Sequence, residues 1–252
     1  MTGNILEVKN LQKTYGDKIA VDGISFSVKK GEVFGILGPN GAGKTTTLEM
    51  IETLRPIDGG TVKLSGLDVA KDPQKVKYLI GVQLQSTSFM DKTKLTELLE
   101  QQAAAYGEKI NPKQLLADVD LTDKASSYIE KLSGGQRQRF SIAAALVHNP
   151  EVFFLDEPTT GLDPQARRNI WELIQSLQAK GITVILTTHY MEEAELLCDR
   201  VAIMDEGKIV VLDSPKKLVQ SLLKRGFKKN QKVEQANLED VFIDLTGKGL
   251  KD

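Results

Sequence analysis

A glycine-rich segment near the start of the chain has the residue types needed to hold phosphate groups. It reads GPNGAGKTT, which matches G-x-x-x-x-G-K-[ST], and it follows the apolar run EVFGIL and opens a predicted helix. Glycines let backbone N–H groups close around phosphate oxygens, and a helix N-terminus adds positive partial charge. The predicted phosphate-binding residues are Gly38, Pro39, Asn40, Gly41, Ala42, Gly43, Lys44, Thr45 and Thr46.

Two side chains in this segment have predicted tasks of their own. Lys44, expected to point into solvent, would reach the β and γ phosphates of a nucleotide, and the Thr45 hydroxyl can ligate Mg²⁺. Gly38, Gly41 and Gly43 are expected to permit positive φ. The alternative is an ordinary glycine-rich turn, but the order of strand, loop and helix favours the phosphate site.

A pair of carboxylates follows a second apolar run, in VFFLDEP. Asp156 and Glu157 would lie at the carboxyl edge of a sheet, where open α/β sheets bind ligands. Asp156 can hold Mg²⁺ directly or through water, and Glu157 can polarise a water towards a γ-phosphate. The alternative, a solvated acidic strand end, is common when no phosphate loop is present.

A second anion site is predicted where the sequence reads LSGGQ. Ser133, Gly134, Gly135 and Gln136 would cap a helix whose first N–H groups attract negative charge. One nucleotide rarely needs two such sites, so this one would serve a nucleotide held by another copy. A plain serine cap with a Gly-Gly turn is the alternative.

The elements that must position these residues follow from periodicity. Alternating apolar runs predict strands over Ile5–Val28, with turns at Gly16-Asp17 and Asp22-Gly23. Helical spacing predicts helices between 86 and 131 and over Pro164–Lys180. Short apolar strands then alternate with helices, which predicts an α/β fold with a largely parallel sheet.

Composition limits the possible classes of protein. The chain has 252 residues, 40% of them hydrophobic, which is enough for one large domain or a domain with a subdomain. A net charge of -1 gives no general basic field for nucleic acid. Cys198 is the single cysteine, which excludes an internal disulfide and is typical of a reducing compartment. We read no signal peptide and no membrane-spanning run, so a cytosolic or peripheral protein is expected.

In this order and spacing, LSGGQ resembles the signature of the ATP-binding cassette (ABC) ATPases, and the resemblance extends from about Leu6 to Asp213. The tail LEDVFIDLTG and the segment THYMEEAELLCDRVAIMDEGKI resemble the drug-resistance and ABC-2 exporter branch. The resemblance implies a P-loop NTPase of ABC type with a mostly parallel core, an N-terminal antiparallel β subdomain and an inserted helical subdomain. The expected parts are 1–85, 86–148 with the signature, 149–213, and a helical extension at 214–252.

The resemblance also implies roles for single residues. Tyr15 would stack on adenine, although a core aromatic is the alternative, and His189 would contact the γ-phosphate. Gln85 would bridge Mg²⁺ and the attacking water, with Ser86 standing where the family frequently has an acidic residue. Asp163 lies in TGLD, which matches the loop that crosses to the other subunit, and it is also a candidate helix N-cap.

The function implied is an ATPase subunit that binds ATP and Mg²⁺, pairs with a second ABC subunit, expected to be an identical copy, and drives export through separate transmembrane subunits. It would lie in the cytoplasm on the inner face of the membrane, touching the membrane through the permease, with no nucleic-acid partner. The alternatives are an importer ATPase, a regulatory module without turnover, and a soluble ABC ATPase acting on ribosomes or DNA. The last predicts tandem cassettes or a long coiled coil. The sequence has one phosphate loop and one signature, and the roughly 90 residues between them leave no room for a coiled coil.

Four further features have open interpretations. Seven Lys/Arg and no acidic residue between 216 and 232 indicate either contact with anionic lipid or a solvated helix face. Phe89 and Met90 are candidates for a groove that accepts a helix of the permease, or for subdomain core. His148 is expected at the surface, and Cys198 as a small buried hydrophobe.

Overall fold

The computed structural model describes residues 3–83, 89–227 and 238–246, and these residues form two sheets and nine α-helices. The strands are β1 (Asn4–Tyr15), β2 (Lys18–Lys29), β3 (Val33–Leu37), β4 (Gly59–Leu64), β5 (Leu67–Asp68), β6 (Ile80–Gln83), β7 (Val152–Asp156), β8 (Thr183–Thr188), β9 (Arg200–Asp205) and β10 (Lys208–Asp213). The helices are α1 (Lys44–Ile51), α2 (Pro73–Leu79), α3 (Leu95–Ala105), α4 (Pro112–Asp118), α5 (Gly134–Ala145), α6 (Pro164–Ala179), α7 (Met191–Leu197), α8 (Pro215–Lys224) and α9 (Leu238–Thr246).

The larger sheet has the order β10-β9-β3-β8-β7-β6. Every pairing in it is parallel except that of β10 with β9. All residues of β3 and β7 are buried, as expected for strands covered on both faces. The predicted largely parallel sheet is therefore confirmed, and the carboxyl ends of its parallel strands meet at one edge.

The smaller sheet is antiparallel, in the order β2-β1-β4-β5. The predicted turn at Gly16-Asp17 joins β1 to β2. The second predicted turn, at Asp22-Gly23, is wrong because β2 continues through it. Gly23 has a φ of 66° at a point where the register with β1 shifts, so this glycine serves a bulge and not a chain reversal.

The core has two parts. One lies between the two sheets and around α1, and the other lies under α3 to α9. The helical spacing predicted in α3 is confirmed, because its apolar side chains are buried there: Leu95, Leu98, Leu99 and Ala103. Among the described residues, no helix is both long and apolar enough to span a bilayer.

Helix α6 was predicted within one residue of its observed end. Its N-cap Asp163 accepts a hydrogen bond from the backbone N–H of Ala166 at 2.9 Å, and Gly181 follows the helix at φ 87°.

Cys198 is buried as predicted. The surface position predicted for His148 is wrong, because its ring stacks on Tyr106 at 3.9 Å and its Nε2 lies 2.9 Å from the Ile80 carbonyl oxygen.

Candidate functional site

The phosphate loop connects β3 to α1 at the carboxyl edge of the parallel sheet. Gly41 and Gly43 have positive φ (84° and 100°), as predicted. The prediction for Gly38 is wrong, because its φ is not positive. This glycine is needed for a different reason: a Cβ there would lie 2.1 Å from the Met204 carbonyl oxygen. Close packing against β9, and not an unusual backbone angle, therefore excludes a side chain at Gly38.

Lys44 is the first residue of α1, and its side chain is only 4% exposed. Its Nζ donates to the carbonyl oxygens of Gly38 (2.9 Å) and Pro39 (3.1 Å) and lies 3.4 Å from Glu157 Oε1. The expectation that this side chain points into solvent is therefore wrong. Burial lowers the pKa of Lys44, whereas the attraction of Glu157 opposes that change. The ammonium group thus lies under the loop, at the floor of the predicted phosphate site.

Two of the three side chains predicted to bind a metal ion, Thr45 and Asp156, lie together, and the third, Gln85, lies outside the described residues. Thr45 Oγ1 donates to Asp156, 3.1 Å from Oδ2, and Thr187 also donates to the Asp156 carboxylate. Hydroxyl and carboxylate oxygens are the donors that Mg²⁺ prefers, and this ion usually takes one or two carboxylates beside water and phosphate oxygens. The described residues contain no group of three or more His, Cys, Asp or Glu side chains that could by itself hold a metal ion. A single carboxylate beside a hydroxyl fits Mg²⁺ held partly by a nucleotide.

Glu157 has a left-handed backbone with φ 49°, uncommon for a residue with a side chain. Its N–H donates to Thr187 Oγ1 at 3.0 Å, which anchors it to the end of β8. Its carboxylate lies between two basic side chains, since Oε1 faces Lys44 and Oε2 lies 3.3 Å from His189 Nδ1. Thr160 Oγ1 also donates to Oε2 at 3.2 Å. The three predicted catalytic side chains that the structure describes therefore form one cluster.

A cleft of about 280 Å³ opens over the phosphate loop. The residues that line it are Tyr15, Lys18, Ala20, Asn40, Gly41, Gly43, Lys44, Thr45, Thr46 and Glu157. Tyr15 is 40% exposed, so the alternative of a core aromatic does not hold. An aromatic ring beside a phosphate site is suited to stack on a nucleotide base. Lys18 and Ala20 were missed, because their place in the cleft depends on how the β1–β2 hairpin packs.

The LSGGQ segment begins α5 as predicted. Ser133 Oγ accepts from the Gln136 N–H at 3.3 Å, and Gln136 Oε1 accepts from the Ser133 N–H at 3.0 Å, which is a capping box. A Cβ on Gly135 would lie 2.8 Å from the Ala166 Cβ, so the start of α5 touches the start of α6 beside Asp163. In the described part of the chain, these four signature residues do not line the cleft over the phosphate loop. The two predicted anion-binding features therefore lie at separate places on one chain.

Gln85 and Ser86 lie outside the described residues. The segment that follows them is described from Phe89, whose ring packs edge-to-face on Phe140 at 5.1 Å, while Met90 is 65% exposed. Phe89 thus belongs to the core, which was the alternative to its predicted place in a groove.

Another missed feature is the pair of threonines before His189, of which Thr187 holds both Asp156 and Glu157. The repeated hydroxyls at the end of an apolar strand were the available signal.

A glycine-rich loop between a parallel strand and a helix, with a carboxylate from the end of another strand of the same sheet beside it, defines a P-loop nucleotide-binding protein. Residues 21–160 match the family model described as ABC transporter. The chain belongs to this family and is one of its ATPases, and the fold expected from the resemblance is confirmed.

Relatives and solved structures agree with this family. The chain is 43% identical over 223 residues to the linearmycin resistance ATP-binding protein of Bacillus subtilis (strain 168), covering 86% of this chain and 72% of that protein. It is 43% identical over 221 residues to the Nod factor export ATP-binding protein I of Burkholderia orbicola (strain AU 1054), covering 86% and 73%. These similarities support the drug-resistance and ABC-2 exporter branch.

Among solved structures, an ATP-binding subunit of an ABC transporter superposes with a TM-score of 0.82 at 28% identity, covering 96% of this chain and 99% of that one. A dimeric ATP-binding cassette in a post-hydrolysis state, bound to ADP and Pi, superposes with a TM-score of 0.74 at 26% identity, covering 83% and 98%.

Proposed function

We propose that two copies of this protein close on ATP, hydrolyse it, and drive export of a substrate through separate transmembrane subunits. The observation that carries the proposal is the separation of two anion-binding features in one chain. The cleft holds Lys44 and Glu157, whereas the capped start of α5 lies elsewhere on the same chain. An anion-binding feature that does not line the nucleotide cleft of its own chain is suited to a nucleotide held by a partner.

The proposed chemistry is in-line attack of water on the γ-phosphate. Glu157 accepts the proton of that water, and Lys44 and His189 on either side of its carboxylate stabilise the negative charge of the phosphate. Tyr15 stacks on the base. Gln85 would orient the water and help to hold the metal ion.

In this scheme residues 38–46 would hold the phosphates, and Thr45 and Asp156, which lie together, would hold Mg²⁺. When bound, the ion would neutralise charge on the phosphate oxygens. The remaining proposed contacts come from the partner copy, whose Ser133–Gln136 segment donates N–H groups to the same phosphate. Asp163 lies next to that segment in the loop that would cross between the copies.

The proposed division into parts assigns one task to each. Parts 1–85 and 149–213 hold the nucleotide, 86–148 presents the signature, and 214–252 extends the core. In the described part of this extension, Lys217 and Arg225 are paired with Asp213 and Asp244, which favours a solvated helix face over contact with anionic lipid.

The permease would dock beside the last turn of α1. A groove of about 200 Å³ there is lined by Leu54, Val82 and Tyr106 among others, and Leu54 is 53% exposed. Exposed apolar side chains around a groove are typical of a site that accepts an amphipathic helix. Since Phe89 is committed to the core, Leu54 and Tyr106 replace it as proposed anchors. Docking there would keep the protein in the cytoplasm, on the inner face of the membrane.

The test of the dimer uses Glu157→Gln, which keeps the side-chain shape but removes the proton acceptor and its repulsion with phosphate. Hydrolysis should fall steeply, and size-exclusion chromatography should show a dimer only with ATP and Mg²⁺. Adding Gly134→Asp should abolish that dimer, because the new carboxylate would oppose the partner's phosphate. A Cβ on Gly134 meets only the end of Leu162 at 3.9 Å, so the change fits the fold.

Gln114→Asp is the matched control, since it adds the same carboxylate at the exposed start of α4. This control should dimerise like Glu157→Gln alone. A Glu157→Gln protein that stays monomeric at tens of micromolar with ATP would show that this chain does not close on itself.

A further inference from the structure

A fully buried carboxyl group joins three elements behind the proposed catalytic cluster. Glu193 lies on α7 and has no exposed surface. Its Oε1 accepts a hydrogen bond from Thr159 Oγ1 at 2.9 Å and another from Trp171 Nε1 at 3.0 Å. Thr159 belongs to the loop after β7, and Trp171 lies on α6. One oxygen atom therefore ties this loop and α6 to α7.

These ties lie close in sequence to two of the three side chains of the cluster, Glu157 and His189. Thr159 is two residues after Glu157, and Glu193 is four residues after His189. The same two segments meet again through the 3.3 Å contact between Glu157 Oε2 and His189 Nδ1. The Thr159–Glu193 hydrogen bond is thus a second, buried link between the segments that carry the reacting groups.

The loop has a reason to need such a link. Glu157 has a positive φ, a conformation that persists in residues with side chains only when the surrounding structure holds it. Thr187 anchors the backbone of Glu157 from one side, and Thr159, itself fully buried, anchors the loop from the other. Without the second anchor, the loop could relax and move the Glu157 carboxylate.

The two hydrogen bonds to Oε1 need an acceptor oxygen and not a negative charge. Burial raises the pKa of Glu193, and hydrogen bonds with Thr188, Thr159 and Trp171 act in the opposite direction. Both bonds to Oε1 have neutral donors, a hydroxyl and an indole N–H. A glutamine oxygen could therefore accept them equally well.

We propose that Glu193 is a positioning residue, which sets the place of Glu157 relative to His189 by holding Thr159. The inference rests on the roles proposed above for Glu157 and His189. The bond to Trp171 anchors Glu193 to α6, whereas the bond to Thr159 controls the loop. The two bonds therefore have different consequences for turnover, although they end on the same atom.

The experiment compares Thr159→Val with Trp171→Phe in the full chain, each of which removes one donor to Glu193 Oε1. Both should lower the melting temperature. Only Thr159→Val should lower kcat for ATP hydrolysis, by about tenfold, with KM within about twofold, because the loop is displaced while the nucleotide cleft is kept. Glu193→Gln should keep kcat within about threefold of the parent, and Glu193→Leu should behave like Thr159→Val.

Trp171 is the only tryptophan, so its emission reports whether this region stays packed in Thr159→Val. An equal loss of kcat in Trp171→Phe would overturn the inference, because turnover would then follow stability alone. An unchanged kcat in Thr159→Val would also overturn it, because turnover would then not depend on the Thr159–Glu193 hydrogen bond. Glu157→Gln measured in parallel separates the two proposals. If it loses turnover while Thr159→Val does not, only the role of Glu193 falls; if it keeps turnover, the proposed role of Glu157 falls as well.

Discussion

Glu52 is a buried acid whose titration should make the stability of the whole protein depend on pH. It directly follows α1, is 3% exposed, and lies near Asp156 and Glu49. Burial, and then repulsion from Asp156 and Glu49, raises the pKa of Glu52 from 4.5 to about 8. The perturbation is Glu52→Gln, which keeps the shape of the protonated acid but cannot ionise.

The direction follows from proton binding. Above its ordinary pKa the unfolded chain has lost the Glu52 proton, whereas the folded chain keeps it up to a pKa of about 8. The stability that this group contributes is therefore fully present below pH 4.5, and it is lost as the pH rises to about 8. The full change corresponds to about 5 kcal/mol, of which about 4 kcal/mol falls between pH 5 and pH 9.

Urea unfolding at about pH 5, 7 and 9 measures this change. The Glu52→Gln protein should gain stability relative to the parent as the pH rises, by about 2 to 3 kcal/mol between pH 5 and 7 and by about 4 kcal/mol between pH 5 and 9. The control is Glu172→Gln, the same substitution on the exposed face of α6. A constant difference between Glu52→Gln and the parent at all three pH values would refute the argument, because it would mean that Glu52 ionises as easily in the folded protein as in the unfolded chain.

Two further changes test the nucleotide cleft. Lys44→Ala removes the ammonium group below the loop, so ATP affinity measured by calorimetry should fall and phosphate release should stop; near-normal turnover would contradict the proposed hydrolysis. Tyr15→Ala should weaken the binding of ATP and GTP alike, by about 1 to 3 kcal/mol in equilibrium dialysis, since stacking does not read base edges. Tyr15→Phe should bind normally, and an unchanged affinity in Tyr15→Ala would show that the ring does not touch the base.

Features that depend on neighbours along the chain were predictable from the sequence. The phosphate loop, the capping box of Ser133 and Gln136, and the Asp163 cap all involve residues within a few positions of one another. Asp156 and Glu157 were placed correctly for a related reason, because the carboxyl end of a buried parallel strand lies at the edge where ligands bind. The roles proposed for Tyr15 and His189 came from the resemblance to the family.

The pairing of distant segments was not predictable, because hydrophobic periodicity indicates which face is buried but not against what. Gly38 must lack a side chain because of Met204, which lies on a strand that pairs with β3 only in the folded sheet. Gly23, where a turn was expected, instead lies in a bulge, because β2 pairs with β1 on both sides of this residue.

The electrostatics of the site were decided by tertiary structure for the same reason. A glutamate in a helical pattern gives no sign that, like Glu52, it will be cut off from water, or that, like Glu193, it will meet a threonine and an indole from two other elements. Lys44 was recognised by its motif, yet its burial between two carbonyl groups and Glu157 depends on how β7 lies beside the loop. The local sequence thus determined which chemical groups the protein has, and the packing of distant segments determined their protonation and mutual distance, because desolvation and Coulomb energies depend on everything that surrounds a group.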